Sequence, residues 1–311
     1  MSYSQYGTIA ASDYNTLVGG DPVTSSGTLN AVWATGGTNT GYGQTAEANV
    51  AVGDTVTATK WANLVNKTAN SASHQGTSIT SVTAPASGGT VTYLSAIPTN
   101  LTSIYTSRLN AATQGSTTAN TATYGSTWSA ALTFTHTVTF ANANAARYFF
   151  NAGGQLKVTC AHANTATSIN QLYNGLASNI GTVVLSSPTS GSVTINSTSF
   201  NGITKIGGGG NSPTISTNTG YYALTTSNAN VFTQLASTGP SGYLSSFIRV
   251  IAASNGSPGA TVTIYTVWDE VPDGLVVGTG SSTTVTAQAP ETTYLANSWG
   301  TISVTGTVTG S

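Results

Sequence analysis

The chain has 311 residues, of which 5% are charged and 39% hydrophobic, and its formal net charge is −1. Soluble globular proteins carry about 25% charged residues, so hydroxyl and amide groups must solvate most of this surface. The sequence has no Lys/Arg stripe, which argues against nucleic-acid binding. Its 14 Tyr, 7 Phe and 5 Trp are spread from end to end and indicate a folded protein.

The N-terminal residues lack the basic and apolar segments of a signal peptide, and no stretch has the apolar length of a membrane span. We therefore expect a protein made and folded in the cytoplasm, with no membrane partner. Cys160 is the one cysteine, which predicts a small buried hydrophobic residue and no intrachain disulfide. The small net charge provides little repulsion between copies and favours assembly.

The apolar spacing of the first hundred residues predicts short helices. Two of them share a polar N-terminal residue, an aromatic residue and a Leu-Val pair three positions later, which places Tyr14 and Trp61 on equivalent apolar faces. We expect these two helices to pack against each other. The predicted helices are Ser12–Gly20, Thr28–Ala34, Thr59–Lys67 and a further amphipathic stretch, Leu101–Asn110, behind Pro98.

A glycine-rich segment, 36–44, lies between the two similar helices and holds Tyr42 between two glycines. This pattern suggests an aromatic ring at the tip of a tight turn, which either fills the helical core of its own chain or docks on a neighbour, and the first is favoured. Residues 1–115 are predicted to form a helical attachment and oligomerisation domain. Its candidate assembly contacts are Tyr14, Trp33, Tyr42 and Trp61.

Residues 116–127 are rich in Thr, Gly, Asn and Ala and are predicted to be a linker. From Trp128 the apolar residues alternate with polar ones, beginning with Leu132–Phe140, which is typical of strands with one buried face. We expect residues 128–311 to form an antiparallel, jelly-roll-like β-sandwich with one crossover helix, Thr167–Leu176, so that the fold is mainly β. The further predicted strands are Ala146–Phe150, Gln155–Cys160, Val183–Ser186, Ser192–Asn196, Tyr221–Thr225, Val231–Leu235, Ser246–Ala252, Thr261–Trp268, Ser282–Ala287 and Thr301–Val308.

The sequence offers few groups for chemistry. Its three histidines, His74, His136 and His162, have no His partner three or four residues away and no flanking carboxylate, so we expect no metal site. The run Gly207–Gly210 lacks the Lys-Ser/Thr of a phosphate loop and is interpreted as a flexible connection.

The acidic cluster Asp269, Glu270 and Asp273 follows a predicted strand and could provide a carboxylate pair or a calcium loop. A solvated hairpin turn at 271–274 is the favoured interpretation. The sequence therefore predicts no catalytic residue and no cofactor.

Five segments carry a resemblance to a known group of proteins: Ile9–Asn15, Gly41–Gln44, Val52–Ala58 leading into Lys60–Leu64, His74–Gly76 and Ala146–Leu156, of which the last looks like a strand-turn-strand unit. Together they resemble the opening and middle parts of structural proteins from tailed bacteriophages, particularly phages of cyanobacteria and marine bacteria. The resemblance implies a virion component, made in the host cytoplasm and located in the particle as a tail-fibre-like or appendage-like protein, and it carries over no active site. The C-terminal half lacks the repeats of long fibres.

We expect a structural subunit that forms a homo-oligomer, a trimer or hexamer by preference, and contacts other virion proteins. The alternative is a host-recognition module whose exposed aromatic rings stack on cell-surface glycan. A glycan-cleaving enzyme is disfavoured because eight acidic residues leave few choices for a catalytic pair. The candidate glycan contacts are Tyr221, Tyr222, Tyr243 and Trp299, although a core position is the favoured interpretation of each.

Overall fold

A computed structural model describes residues 10–19, 27–87, 89 and 95–310. The fold is mainly β with a helical N-terminal region, which confirms the predicted class. Ile9 of the phage-like segments lies outside the described residues. The α-helices of the described residues are α1 (Ala11–Val18), α2 (Leu29–Trp33), α3 (Ala58–Gln75), α4 (Ala96–Thr106), α5 (Ala143–Asn151) and α6 (Ser168–Ile180), and one 3-10 helix covers Tyr221–Ala223.

Two antiparallel sheets form the β region, one ordered β1-β12-β3-β4-β7 and the other β13-β2-β11-β10-β9-β8, beside the small hairpin β5-β6. These eleven strands exceed the eight of a jelly roll. The strands are β1 (Gln114–Tyr124), β2 (Ala131–Thr139), β3 (Gln155–His162), β4 (Thr182–Leu185), β5 (Val193–Ile195), β6 (Thr198–Phe200), β7 (Ile203–Ile206), β8 (Thr214–Ile215), β9 (Ala229–Leu235), β10 (Phe247–Ser254), β11 (Thr261–Asp269), β12 (Ser281–Pro290) and β13 (Ser303–Gly310).

The apolar faces of the N-terminal helices meet as the spacing predicts. The rings of Tyr14 on α1 and Trp61 on α3 are 6.0 Å apart and both are buried. Thr57 caps α3 by accepting a hydrogen bond from the amide of Lys60, and Gly76 ends the helix in the left-handed conformation. The helix is longer than its predicted span because polar residues continue it past the apolar stripe.

The two sheets face each other across side chains that alternate along each strand. Trp268 of β11 points inward and its indole N–H donates to the hydroxyl of Thr283 on β12, 3.4 Å away. Helix α6 contacts β3 of one sheet and β9 and β10 of the other. Its Tyr173 stacks on Trp268 at 6.1 Å. The helix therefore acts as a wedge between the sheets.

Three predictions of local structure are wrong. The predicted linker, 116–127, is largely strand β1, because Thr is β-branched and suits an extended chain. The predicted strand Ala146–Phe150 lies in helix α5, where Asn142 accepts a capping hydrogen bond from the amide of Ala145. Two helices therefore interrupt the strand series instead of one. Tyr221–Thr225 begins with a 3-10 helix and contains no strand.

The helical and β regions share the larger of two apolar clusters. It extends from Tyr14 in α1 through both sheets to Ile302 before β13. A smaller cluster packs Ala111 with Val184, Val193, Ile195 and Phe200. Packed side chains therefore cross the predicted boundary near residue 115.

Candidate functional site

The four predicted assembly contacts lie inside the chain. Tyr14, Trp33, Tyr42 and Trp61 are each less than 10% exposed. The hydroxyl of Tyr14 donates to the carboxylate of Glu47 at 3.2 Å. Short helices with few apolar residues must use their largest rings to fill their own core. The four rings thus pack within the chain, and contacts of these residues with another copy stay a prediction.

Tyr42 fills the helical core, as the favoured interpretation of its glycine-flanked turn predicts. Its hydroxyl donates to the carbonyl of Arg108 at 2.8 Å and accepts from the amide of Gln75. Burial raises the pKa of this hydroxyl above its usual range. A side chain at Gly43 would lie 2.3 Å from the ring of Tyr148 in α5, and the residue has a φ of +69°. The glycine allows the turn to approach α5.

A buried contact between a histidine and a carboxylate joins the helices to the β region. His74 in the last turn of α3 contacts the carboxylate of Glu291 through Nδ1 at 3.0 Å and the carbonyl of Ala152 through Nε2 at 3.1 Å. Because both partners are acceptors, only the doubly protonated ring can donate to both. The hydrogen bond from His74 lowers the pKa of Glu291 to about 2. Sequence reasoning found no carboxylate beside His74, since the partners are 217 positions apart.

The predicted glycan contacts divide into two groups. Tyr221 and Trp299 are buried, as the favoured core interpretation predicts, and Tyr221 stacks on Phe150 with the ring centroids 4.1 Å apart. Tyr222 and Tyr243 are half-buried. Of the four, Tyr222 lies in the wall of a cleft.

The acidic cluster has a structural arrangement. The carboxylate of Glu270 is buried and accepts hydrogen bonds from the amides of Gly274 and Leu275, at 3.3 and 3.2 Å. Burial raises the pKa values of Glu270 and Asp269. The side chain of Glu270 thus shapes the turn after β11. The favoured interpretation of a solvated hairpin is wrong, because β11 and β12 belong to different sheets and the carboxylate is buried. Within the part of the chain that the structure describes, no cluster of His, Cys, Asp or Glu could hold a metal ion.

Of the remaining candidate groups, His136 and His162 are enclosed by the sandwich, and Cys160 is half-buried on β3. His162 contacts the hydroxyl of Ser281 and the side-chain oxygen of Asn170, at 3.0 and 3.2 Å. His136 is fully buried on β2, and neither ring nitrogen makes a hydrogen bond to a described residue. Burial lowers the pKa of both histidines. Burial also raises the pKa of the Cys160 thiol to about 12, so the thiol is protonated at neutral pH.

One side of the sandwich, which we call the seam side, exposes two long outer strands. β1 and β13 are the outermost strands of their sheets, contain 11 and 8 residues, and carry no charged residue or proline. β1 has an irregular register between Gln114 and Thr117 and is regular afterwards. The strands touch through inward residues, with Gly306 close to Asn120. Their outer edges make no backbone hydrogen bond to another described strand.

The opposite side, which we call the wedge side, is closed. Its outer strands β7 and β8 have four and two residues. The ammonium group of Lys205 on β7 reaches Gln234 on β9 at 3.1 Å and the carbonyl of Gly209. The run Gly207–Gly210 packs on the end of α6, where the amide of Gly209 donates to the carbonyl of Asn179. The predicted flexible connection is therefore a close backbone contact.

A polar cleft of about 500 Å³ lies between the helical and β regions. The turn at 38–39, the segment after α4, the loop before β5 and Tyr222 form its walls. Arg108 is the charged residue among its described lining residues. A second cavity, of about 440 Å³ between α3, α4 and residues 77–82, is lined by apolar and hydroxyl-bearing side chains.

No helix among the described residues is long and apolar enough to cross a membrane. Comparisons of the chain with protein-family models, with curated proteins and with solved structures gave no match.

Proposed function

We propose that the chain is a structural building block of a tailed-phage virion that assembles with copies of itself through the seam side. The observation that carries this proposal is the pair of long, charge-free outer strands β1 and β13. An uncapped edge presents a row of unpaired N–H and C=O groups, and soluble proteins protect such edges with Lys, Pro or very short strands. The wedge side has this protection in Lys205 and the two short strands.

The composition supports the same assembly. A net charge of −1 leaves little electrostatic repulsion to oppose the approach of two copies. Strand addition at an edge depends on main-chain hydrogen bonds, which neutral Thr and Ser side chains do not disturb. A trimer or hexamer with closed symmetry pairs every edge and leaves none for open-ended growth.

The full-length chain and two variants test self-assembly by analytical ultracentrifugation. We expect the unmodified chain to sediment as a trimer or hexamer. Placing a charge on each exposed edge strand with Thr123→Lys and Thr307→Lys should release monomers, since both residues are exposed and a Lys disfavours edge pairing. Ile206→Lys on the wedge side is the matched control and should remain oligomeric. A monomeric unmodified chain, or an unchanged oligomer in the double variant, would contradict the proposal.

The virion location requires its own test. An antibody against the full chain should label tailed-phage particles purified from a lysate that contains the protein, as seen by immunogold electron microscopy. Label confined to the unassembled fraction would contradict a role in the particle.

A second candidate function, recognition of host-surface glycan, is favoured by the polar cleft. Tyr222 offers part of a ring there, and hydroxyl and amide groups of the neighbouring loops surround it. Pockets of this volume are typical of small-molecule sites.

A further inference from the structure

Arg108 is held in a fixed position at the cleft. Its Nε donates to the carbonyl of Asn39 and its Nη1 to the carbonyl of Tyr105, both at 2.9 Å. The guanidinium lies over the ring of Tyr105, 4.6 Å from the ring centroid. Nη2 has no acceptor among the described residues. Two backbone carbonyls and one ring therefore orient the group and leave donors unused.

The surroundings of Arg108 favour a negative ligand. No acidic residue is among the described residues that line the cleft. Arg147 adds a second positive charge close to Tyr222. An oriented guanidinium with free donors matches the geometry of a carboxylate or sulfate, and such charge-assisted hydrogen bonds are stronger than neutral ones.

The rest of the cleft suits a sugar. The hydroxyl of Tyr222 donates to Asn151 at 2.6 Å, which fixes the ring in the wall of the cleft. Ser190 and Ser192 lie on the facing loop and are exposed, so their hydroxyl groups can exchange hydrogen bonds with sugar hydroxyls. We infer that this cleft binds a short acidic saccharide, with Arg108 holding its carboxylate or sulfate group. This inference rests on the second candidate function and names its ligand class.

Three matched disaccharides test the inference by calorimetric titration of the full chain at pH 7. They are cellobiose, its glucuronic acid counterpart glucuronosyl-β-1,4-glucose, and cellobiose 6′-sulfate, which differ only at one C6 group. We expect the two acids to bind about 10- to 100-fold more tightly than cellobiose, the range for hydrogen bonds to a charged group. The better of the two acids identifies which anionic group the site prefers.

Three variants locate the binding. Arg108→Gln should reduce the affinity for the acids to that for cellobiose, and Ser190→Trp should abolish binding by filling the cleft without touching Arg108. Arg249→Gln is the matched control and should bind normally, because Arg249 also lies over an aromatic ring, Phe247 at 4.3 Å, but is on β10 and does not line the cleft. Circular dichroism checks that each variant is folded.

The outcomes separate the two claims. Equal binding of all three disaccharides that is lost in Ser190→Trp would overturn the anionic ligand and leave glycan recognition standing. Binding of the acids that survives both Arg108→Gln and Ser190→Trp would overturn the site. No binding of any disaccharide at millimolar concentration would overturn both. Self-assembly is measured separately by sedimentation and does not depend on these results.

Discussion

The seam side and the wedge side close the same sandwich by different means. On the wedge side, the backbone of the 207–210 run contacts the backbone at the end of α6, and Lys205 on the outer strand β7 reaches Gln234 on β9 of the other sheet. On the seam side, β1 and β13 meet through inward side chains and glycines, and their outer edges remain unpaired. Each sheet has two outer strands, but within the described structure only the outer strand on the wedge side is protected against pairing with another chain.

This difference shows that the chain can protect an edge where it needs to. A soluble monomer gains from protection on both sides, because an open edge invites pairing with other chains. Protection on one side only is what an assembling subunit requires, since the other side then forms the contact. Stability should also differ between the sides, being set by backbone geometry on one and by side-chain contacts on the other.

The largest expected effect concerns the contact between His74 and Glu291, at one end of the seam side. Glu291 follows β12, the neighbour of β1, and pairs with His74. Removing one partner of a buried pair leaves the other uncompensated, so Glu291→Gln should destabilise the fold by about 3 kcal/mol in urea unfolding. Asp54→Asn is the control, because Asp54 is exposed and the same change from acid to amide should cost about 0.5 kcal/mol or less there. Equal losses of unfolding free energy in the two variants would contradict a stabilising role for the contact between His74 and Glu291.

The same carboxylate should make stability fall in acid. The pKa of Glu291 is lowered from 4.5 to about 2 in the folded chain, so its contribution is fully present above pH 4.5 and is lost as the pH falls towards 2. The Glu291→Gln variant should show a smaller loss than the unmodified chain between pH 5 and 3. Parallel curves of unfolding free energy against pH for the variant and the unmodified chain would show that this pair does not cause the acid sensitivity.

A glycine substitution probes the backbone contact on the wedge side. A side chain at Gly208 would lie 2.2 Å from the carbonyl oxygen of Asn179, and the φ of Gly208 is +73°. Strain and the clash together predict a loss of about 2 kcal/mol for Gly208→Ala. Gly207→Ala is the matched control, with a φ of +66° and no atom near the added group, and should cost about 1 kcal/mol. Similar melting temperatures of the two variants would mean that the loop 207–210 shifts to accommodate the added methyl group.

The smallest effect is expected at His136, inside the seam side. Burial lowers its pKa below the usual 6.5, so the neutral ring is favoured and stability should fall as the pH drops below about 6.5. His136→Leu removes two unpaired polar atoms and should stabilise the fold by about 1 kcal/mol at pH 7.5, with a larger gain at pH 5.5. Burial lowers the pKa of His162 as well, so the stability of the His136→Leu variant should keep part of its pH dependence. A gain that does not change with pH would exclude a titrating His136.

The sequence predicts most strands because their apolar residues alternate, as in Leu132–Phe140. Predictions of secondary structure from the sequence are wrong where the local composition obscures this alternation. β1 has only small and hydroxyl-bearing residues on most positions and resembles a linker. In α5 the run Tyr148, Phe149 and Phe150 has strand propensity, while the helix depends on the cap at Asn142 and on burial of two rings.

The candidate sites are harder to predict than the fold. His74 and Glu291 have no local pattern that connects them, and the cleft draws its walls from segments that meet only after folding. Aromatic residues attract attention as contact residues, but a chain with so few large apolar side chains buries most of them. Tyr221 and Trp299 are examples.

The hydrogen bonds around Tyr42 determine when the N-terminal region of a newly made chain can complete its folding. The carbonyl of Tyr42 accepts a hydrogen bond from Ser298, and Gln44 exchanges two hydrogen bonds with the backbone of Ala296. The ribosome makes this early turn some 250 residues before its partners, so the N-terminal helices cannot adopt their final state during most of translation. Prematurely terminated chains lack this last step, and newly made copies acquire a finished N-terminal region only when residues 296–298 have emerged.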